Sequence, residues 1–128
     1  MDQFERAEYM KLETVKEILE AEVLVGEEFL EMDVLSACGC DLMSDVLAFV
    51  KDRVLLLTGL VNPQVIRTAE MMDIRAIAFV RGKVPGKEVL ELAKEKDMIL
   101  LTTKYPLYVS CGRLYHEGLM NGSNIVER

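Results

Sequence analysis

Val54-Leu55-Leu56-Leu57-Thr58-Gly59-Leu60-Val61-Asn62-Pro63 carries four consecutive apolar residues into a small polar turn and then into a helix start. An unbroken apolar run of this length marks a strand buried on both faces, the condition of a parallel strand between helical layers. Asn62 and Pro63 begin the helix: asparagine caps a free amide, and proline at the first helical position gives up only an amide that would be unbonded anyway. The pattern returns twice, with Ala76-Ile77-Ala78-Phe79-Val80 leading into Arg81-Gly82 and Met98-Ile99-Leu100-Leu101 leading into Thr102-Thr103. Helices from Pro63 to Met72 and from Gly86 to Lys96 separate the runs. They set Val65, Ile66, Ala69 and Met72, then Val89, Leu90 and Ala93, on inward faces. Strands alternating with amphipathic helices predict an α/β fold, a single three-layer α/β/α domain on a mostly parallel sheet. Right-handed crossovers bring the three strand ends to one rim, where a ligand would sit.

Upstream, Thr14-Val15-Lys16-Glu17 has the form of a capping box opening a short helix with Val15, Ile18 and Leu19 inward. Glu22 to Val25 reads as a strand closed by Gly26, Glu27-Glu28 as a turn, and Val34 to Cys38 as a second strand. Asp41 is placed to cap a helix over Leu42 to Lys51. These earlier strands can add in either direction, so the sheet can be mixed. Downstream, Tyr105-Pro106 starts a last helix with Leu107, Cys111, Leu114 and Gly118 on one face. The expected organisation is a charged lead-in over 1–10, the α/β domain over 11–119 and a loose tail over 120–128.

The length of 128 residues suits one domain. A hydrophobic fraction of 51% is high and predicts surface hidden against a second copy, hence a homodimer or a protein partner. With a net charge of −7 and no basic cluster, the chain should repel nucleic acid and anionic membranes. No apolar run approaches the roughly 20 residues that span a bilayer, and Met1 to Met10 is not signal-like, so a cytoplasmic location is expected. Cys38, Cys40 and Cys111 are an odd number, which favours reduced thiols.

The candidate site is the rim. Thr58, Gly59 and Asn62 precede a helix whose free amides favour an anion, Arg81-Gly82 can add a cation, and Thr102-Thr103 add hydroxyls. The plain alternative is that these residues only turn and cap the chain. Asp41 and Ser44 can bind a ligand hydroxyl or hydrated cation, or simply cap a helix. Gly82 to Glu88 imitates a phosphate loop, but its glycines are one residue too close and Glu88 replaces the magnesium-binding Ser/Thr. Cys38 and Cys40, at i and i+2 on an extended segment, point the same way and are weak metal or redox candidates. As small buried apolar groups they need no such role. The lone His116 lacks the company of a general base. No metal or cofactor is required by these residues.

Leu12-Glu13-Thr14-Val15-Lys16-Glu17-Ile18-Leu19, Asp41-Leu42-Met43-Ser44-Asp45-Val46, Leu57-Thr58-Gly59, Val89-Leu90-Glu91-Leu92-Ala93 and Leu101-Thr102-Thr103-Lys104-Tyr105 together resemble the DRTGG-domain family. That family is similar to the N-terminal domain of HPr kinase/phosphorylase. Where its naming motif would follow Thr58-Gly59, this chain reads Leu60-Val61-Asn62-Pro63. The resemblance implies a three-layer α/β accessory or regulatory module, often part of a dimer interface, without catalysis of its own. The expected function is a non-catalytic regulatory module sensing a small anionic metabolite or nucleotide at the rim. The alternatives are a protein interaction subunit without a small ligand and a small cysteine-based redox or metal protein.

Overall fold

The computed structural model describes residues 9–47 and 53–120. The three repeated apolar runs are strands β5 (Val54–Thr58), β6 (Ala76–Phe79) and β7 (Ile99–Thr102), each buried along its whole length. They lie parallel and in sequence order, with β4 (Ser36–Gly39) parallel to β5 at one edge. β2 (Glu22–Val25) pairs antiparallel with β7 at the other edge, giving the order β2-β7-β6-β5-β4. The sheet is therefore mixed, with a parallel majority.

Side chains alternate between two cores, as the period of a strand requires. Leu55, Leu57, Ala78, Ile99 and Leu101 face α1 (Leu12–Leu19) and α5 (Leu107–His116), burying Leu12, Val15, Leu19 and Leu114. Leu56, Ile77, Phe79 and Leu100 face α2 (Met43–Leu47), α3 (Pro63–Met71) and α4 (Lys87–Glu95), burying Val46, Val65, Ile66, Ala69, Val89 and Ala93. Each fully buried Leu, Ile or Phe contributes about 1.5–3 kcal/mol by leaving water. These residues make the three layers.

Several local expectations are corrected. The helix α1 starts at Leu12, two residues ahead of the capping box, with Lys11 at the cap and no side-chain bond there. The Leu12 and Glu13 amides are taken instead by the carbonyls of Met32 and Leu30, at 2.9 and 3.0 Å. The strand expected over Val34 to Cys38 is broken at Leu35. β3 (Asp33–Val34) pairs antiparallel with β1 (Met10–Lys11), and only from Ser36 does the chain join the main sheet. Met10 is buried within this ribbon, so the packed region includes the last residue assigned to the lead-in. The helix expected over Leu42 to Lys51 is described as Met43–Leu47, and its remainder lies outside the described residues, as does the tail beyond Met120. No helix among the described residues is long and apolar enough to cross a membrane.

Four turns that return the chain to a strand place a non-glycine residue in the left-handed region: Glu20, Arg53, Asp73 and Asp97, with φ of 50°, 52°, 59° and 55°. Asn62 caps α3 as its sequence predicts, its Oδ1 accepting from the Gln64 amide at 3.0 Å.

Candidate functional site

The C-terminal ends of β4, β5 and β6 bring four of the expected residues together. Asp41 follows β4, but its carboxylate does not cap α2. Oδ1 instead accepts from the Gly59 amide at 2.7 Å and from the Thr58 hydroxyl at 3.0 Å, because β4 lies directly beside β5. The Thr58 Oγ1 in turn accepts from the Leu60 amide at 3.2 Å. A carboxylate thus occupies the loop amide and hydroxyl where an external anion would be held.

Arg81 ends β6 in the left-handed region, φ 59°, a conformation costing about 1–2 kcal/mol for a residue with a side chain. Its guanidinium folds back over Gly59: a Cβ there would lie 2.8 Å from Nη2. Glycine is what lets the cation rest on the peptide. No hydrogen bond or ion pair engages the Arg81 side chain among the described residues, although a carboxylate binds the same glycine amide.

Beyond Arg81 the rim is closed by the protein itself. The chain leaves β6 for α4 on one face and β7 for α5 on the other, the arrangement that opens a crevice between two parallel strands. Here the Gly82 amide donates to the Thr103 carbonyl at 2.7 Å and the Arg81 amide to the Tyr105 carbonyl at 2.9 Å. The Thr102 hydroxyl donates to the Lys83 carbonyl at 2.7 Å, and the buried Thr103 hydroxyl to the Leu19 carbonyl at 2.6 Å. Both hydroxyls expected to face a ligand are spent within the fold, Asn62 is spent on its cap, and Gly82 serves the turn with φ 69°. Ser44 is exposed on α2 and makes no side-chain hydrogen bond to a described residue.

The three thiols gather near the end of β4 and are free. Cys38 and Cys40 share the α2–α4 side, whereas Cys111 comes from α5. A Cβ on Gly39 would lie 2.6 Å from the Cys111 sulfur, so glycine at that position makes room for it. Burial, with the Cys40 and Cys111 thiols and the Asp45 carboxylate adding to it, pushes Cys38 up from 9.0 to about 11. Burial raises Cys111 too. Poorly ionised thiols are weak nucleophiles and weak metal ligands. Among the described residues no three His, Cys, Asp or Glu side chains are grouped to hold a metal. His116 is exposed in the last turn of α5.

Because both thiols are raised in the fold, their contribution to stability is complete below the ordinary thiol range and is lost as pH rises through the folded value. The urea midpoint should therefore fall between about pH 9 and 11, and Cys38→Ala should flatten that fall. The Tyr105 phenol, raised chiefly by its hydrogen bond to Glu20, acts in the same direction, so Tyr105→Phe separates the two causes. A Cys38→Ala profile as steep as that of the unsubstituted chain would refute the assignment to the thiol.

No family model matches the chain, and no curated protein sequence matches it. Among solved structures it is similar to the crystal structure of the CBS and DRTGG domains of the regulatory region of Clostridium perfringens pyrophosphatase, complexed with its activator diadenosine tetraphosphate. The TM-score is 0.65 at 17% identity, covering 81% of this chain and 45% of that one. The chain thus spans less than half the length of that structure, and the likeness is one of fold. This protein is an α/β domain, with a mostly parallel sheet flanked by helices, of the kind found in that regulatory region.

Proposed function

We propose that the domain is a non-catalytic regulatory module that senses a small phosphate-bearing anion, a metabolite or nucleotide, at the rim through the Arg81 guanidinium, with Asp41 fixing the Thr58–Gly59 turn on which that cation rests. The observation that carries this reading is Arg81, a strained cation laid over Gly59 and unpaired among the described residues. Strain of this kind persists where the surroundings enforce it, often at ligand sites, and an arginine fork suits a phosphate. The fold likeness to a regulatory region solved with a nucleotide activator supports the same reading.

Thermal unfolding with diadenosine tetraphosphate, ATP, AMP and inorganic phosphate tests it. At about 100 times Kd a ligand adds about 2.7 kcal/mol, a rise of several degrees in Tm for a domain of this size. Arg81→Gly should abolish that rise while stabilising the unliganded domain by about 1 kcal/mol, because glycine accepts the left-handed conformation without strain. If none of these anions moves Tm, the rim is not a sensor.

A second reading, an interaction subunit, is favoured by the outer face of α5. Tyr108 is 89% exposed and Tyr115 58%, and they flank a hollow of about 680 Å³ that includes Ile18, Val109 and Gly112. Under this reading a complex forms without any small ligand and dissociates with Tyr108→Ser, as light scattering would record. A chain that stays monomeric at high concentration and co-purifies with nothing argues against it.

A further inference from the structure

The opposite, N-terminal edge of the sheet holds a pocket of about 410 Å³ at the starts of β5 and β6. Its floor is apolar, built from the buried side chains of Val34, Val54 and Ala76. Its rim carries both signs of charge: Asp33 and Asp73, Arg53 and Arg75. The arginines are held in place. Arg75 donates through Nε and Nη2 to the Asp97 carbonyl, at 3.2 and 2.8 Å, and lies 5.1 Å from the Phe29 ring centre. Arg53 stands 5.3 Å from the Tyr9 ring. This leaves Nη1 of Arg75 without a bonding partner among the described residues.

The carboxylates are not neutralised by Arg75. No ion pair joins it to Asp33 or Asp73, and neither carboxylate has a side-chain partner among the described residues, although Asp33 is half-buried. A carboxylate that no described side chain engages is open to a ligand that brings a donor. An ordered guanidinium favours an acceptor. A simple anion would meet two carboxylates, and a simple cation two arginines.

We infer that this pocket binds a small zwitterion of the amino-acid class. The ammonium group goes to Asp33 and Asp73, the carboxylate to the Arg75 side, and a short aliphatic side chain to the Val34, Val54 and Ala76 floor. The site is separate from the rim sensor and stands without it.

Titration of 15N-labelled protein with L-leucine, followed by two-dimensional NMR, tests the inference. Saturable shifts are expected at the amides of Val54 and of Asp73 to Ala76. N-acetyl-leucine lacks the ammonium and leucinamide lacks the carboxylate, so each should bind at least about tenfold more weakly. Asp73→Asn keeps a residue tolerant of the left-handed turn and should weaken L-leucine by a similar factor, while Arg81→Gly at the far edge leaves it unchanged. No saturable shift at millimolar L-leucine, equal binding of either analogue, or an Asp73→Asn protein that binds as before would each overturn the inference.

Discussion

Gly26→Ala is expected to cost the domain about 3 kcal/mol or more, a large loss for one added methyl group. Two independent penalties combine. Gly26 has φ 87°, where a side chain costs about 1–2 kcal/mol. The added Cβ would also lie 2.6 Å from the Met98 carbonyl oxygen and 3.0 Å from the Ile99 Cα. Those atoms belong to a backbone with no room to yield, since the Met98 amide donates to Ala93 at 3.0 Å and the Ile99 amide to Arg75 at 2.8 Å. Overpacking of this sort typically costs about 1–3 kcal/mol. Gly82→Ala separates the terms: φ is 69°, yet nothing lies within 4 Å of the added atom, so only the conformational cost of about 1–2 kcal/mol remains. Urea titration should show a midpoint lowered by about 1 M or more for Gly26→Ala at unchanged slope. A loss no larger than that of Gly82→Ala would remove the steric half of the argument.

Thr103→Val should cost about 2–3 kcal/mol although it keeps the shape of the side chain. Thr103 is 1% exposed, and its hydroxyl donates to the Leu19 carbonyl and accepts from the Tyr105 amide at 3.3 Å. Valine leaves both groups unpaired where water has little access, at about 1–3 kcal/mol for each buried loss. Thr103→Ser keeps the hydroxyl and should lose only about 0.8 kcal/mol for the missing carbon. Amide exchange at Tyr105 should quicken in the valine variant and stay slow in the serine variant. A valine variant as stable as the serine variant would show that the hydroxyl latch is not what holds α1 to the turn after β7.

The central strands and the helices α3 and α4 were legible because each carries its own signal. Val54 to Leu57 is apolar on both faces, and Asn62-Pro63 specifies a helix start through purely local chemistry. The β1–β3 ribbon was not legible, since two-residue strands have no period to detect, and the break at Leu35 arises from pairing with the carbonyl of Arg53. The rim was half legible. Thr58, Gly59 and Arg81 converge because they end neighbouring parallel strands. Asp41 satisfied a helix-cap pattern, and only the placement of β4 beside β5 sends its carboxylate to Gly59 instead. Thr102 and Thr103 looked like ligand hydroxyls, but their acceptors are carbonyls from Lys83 and Leu19, distant in sequence. The N-terminal pocket has no sequence signal, because Asp33, Arg53, Asp73 and Arg75 lie in separate segments that only the strand order brings together.

The strand order has a consequence for how the chain comes into being. From β4 to β7 each new strand lies beside the one just made, so that part can assemble as it is synthesised. Among the described strands β2, made early, pairs with β7 alone, Glu22 opposite Thr102, and α1 is latched across 84 residues to Thr103. Until the last strand leaves the ribosome, Leu12, Val15 and Leu19 have no completed surface to cover. Closing so long a loop is slow and leaves apolar surface open to misassociation. The N-terminal segment is the last piece to find its place, and during synthesis it is where a chaperone would be needed.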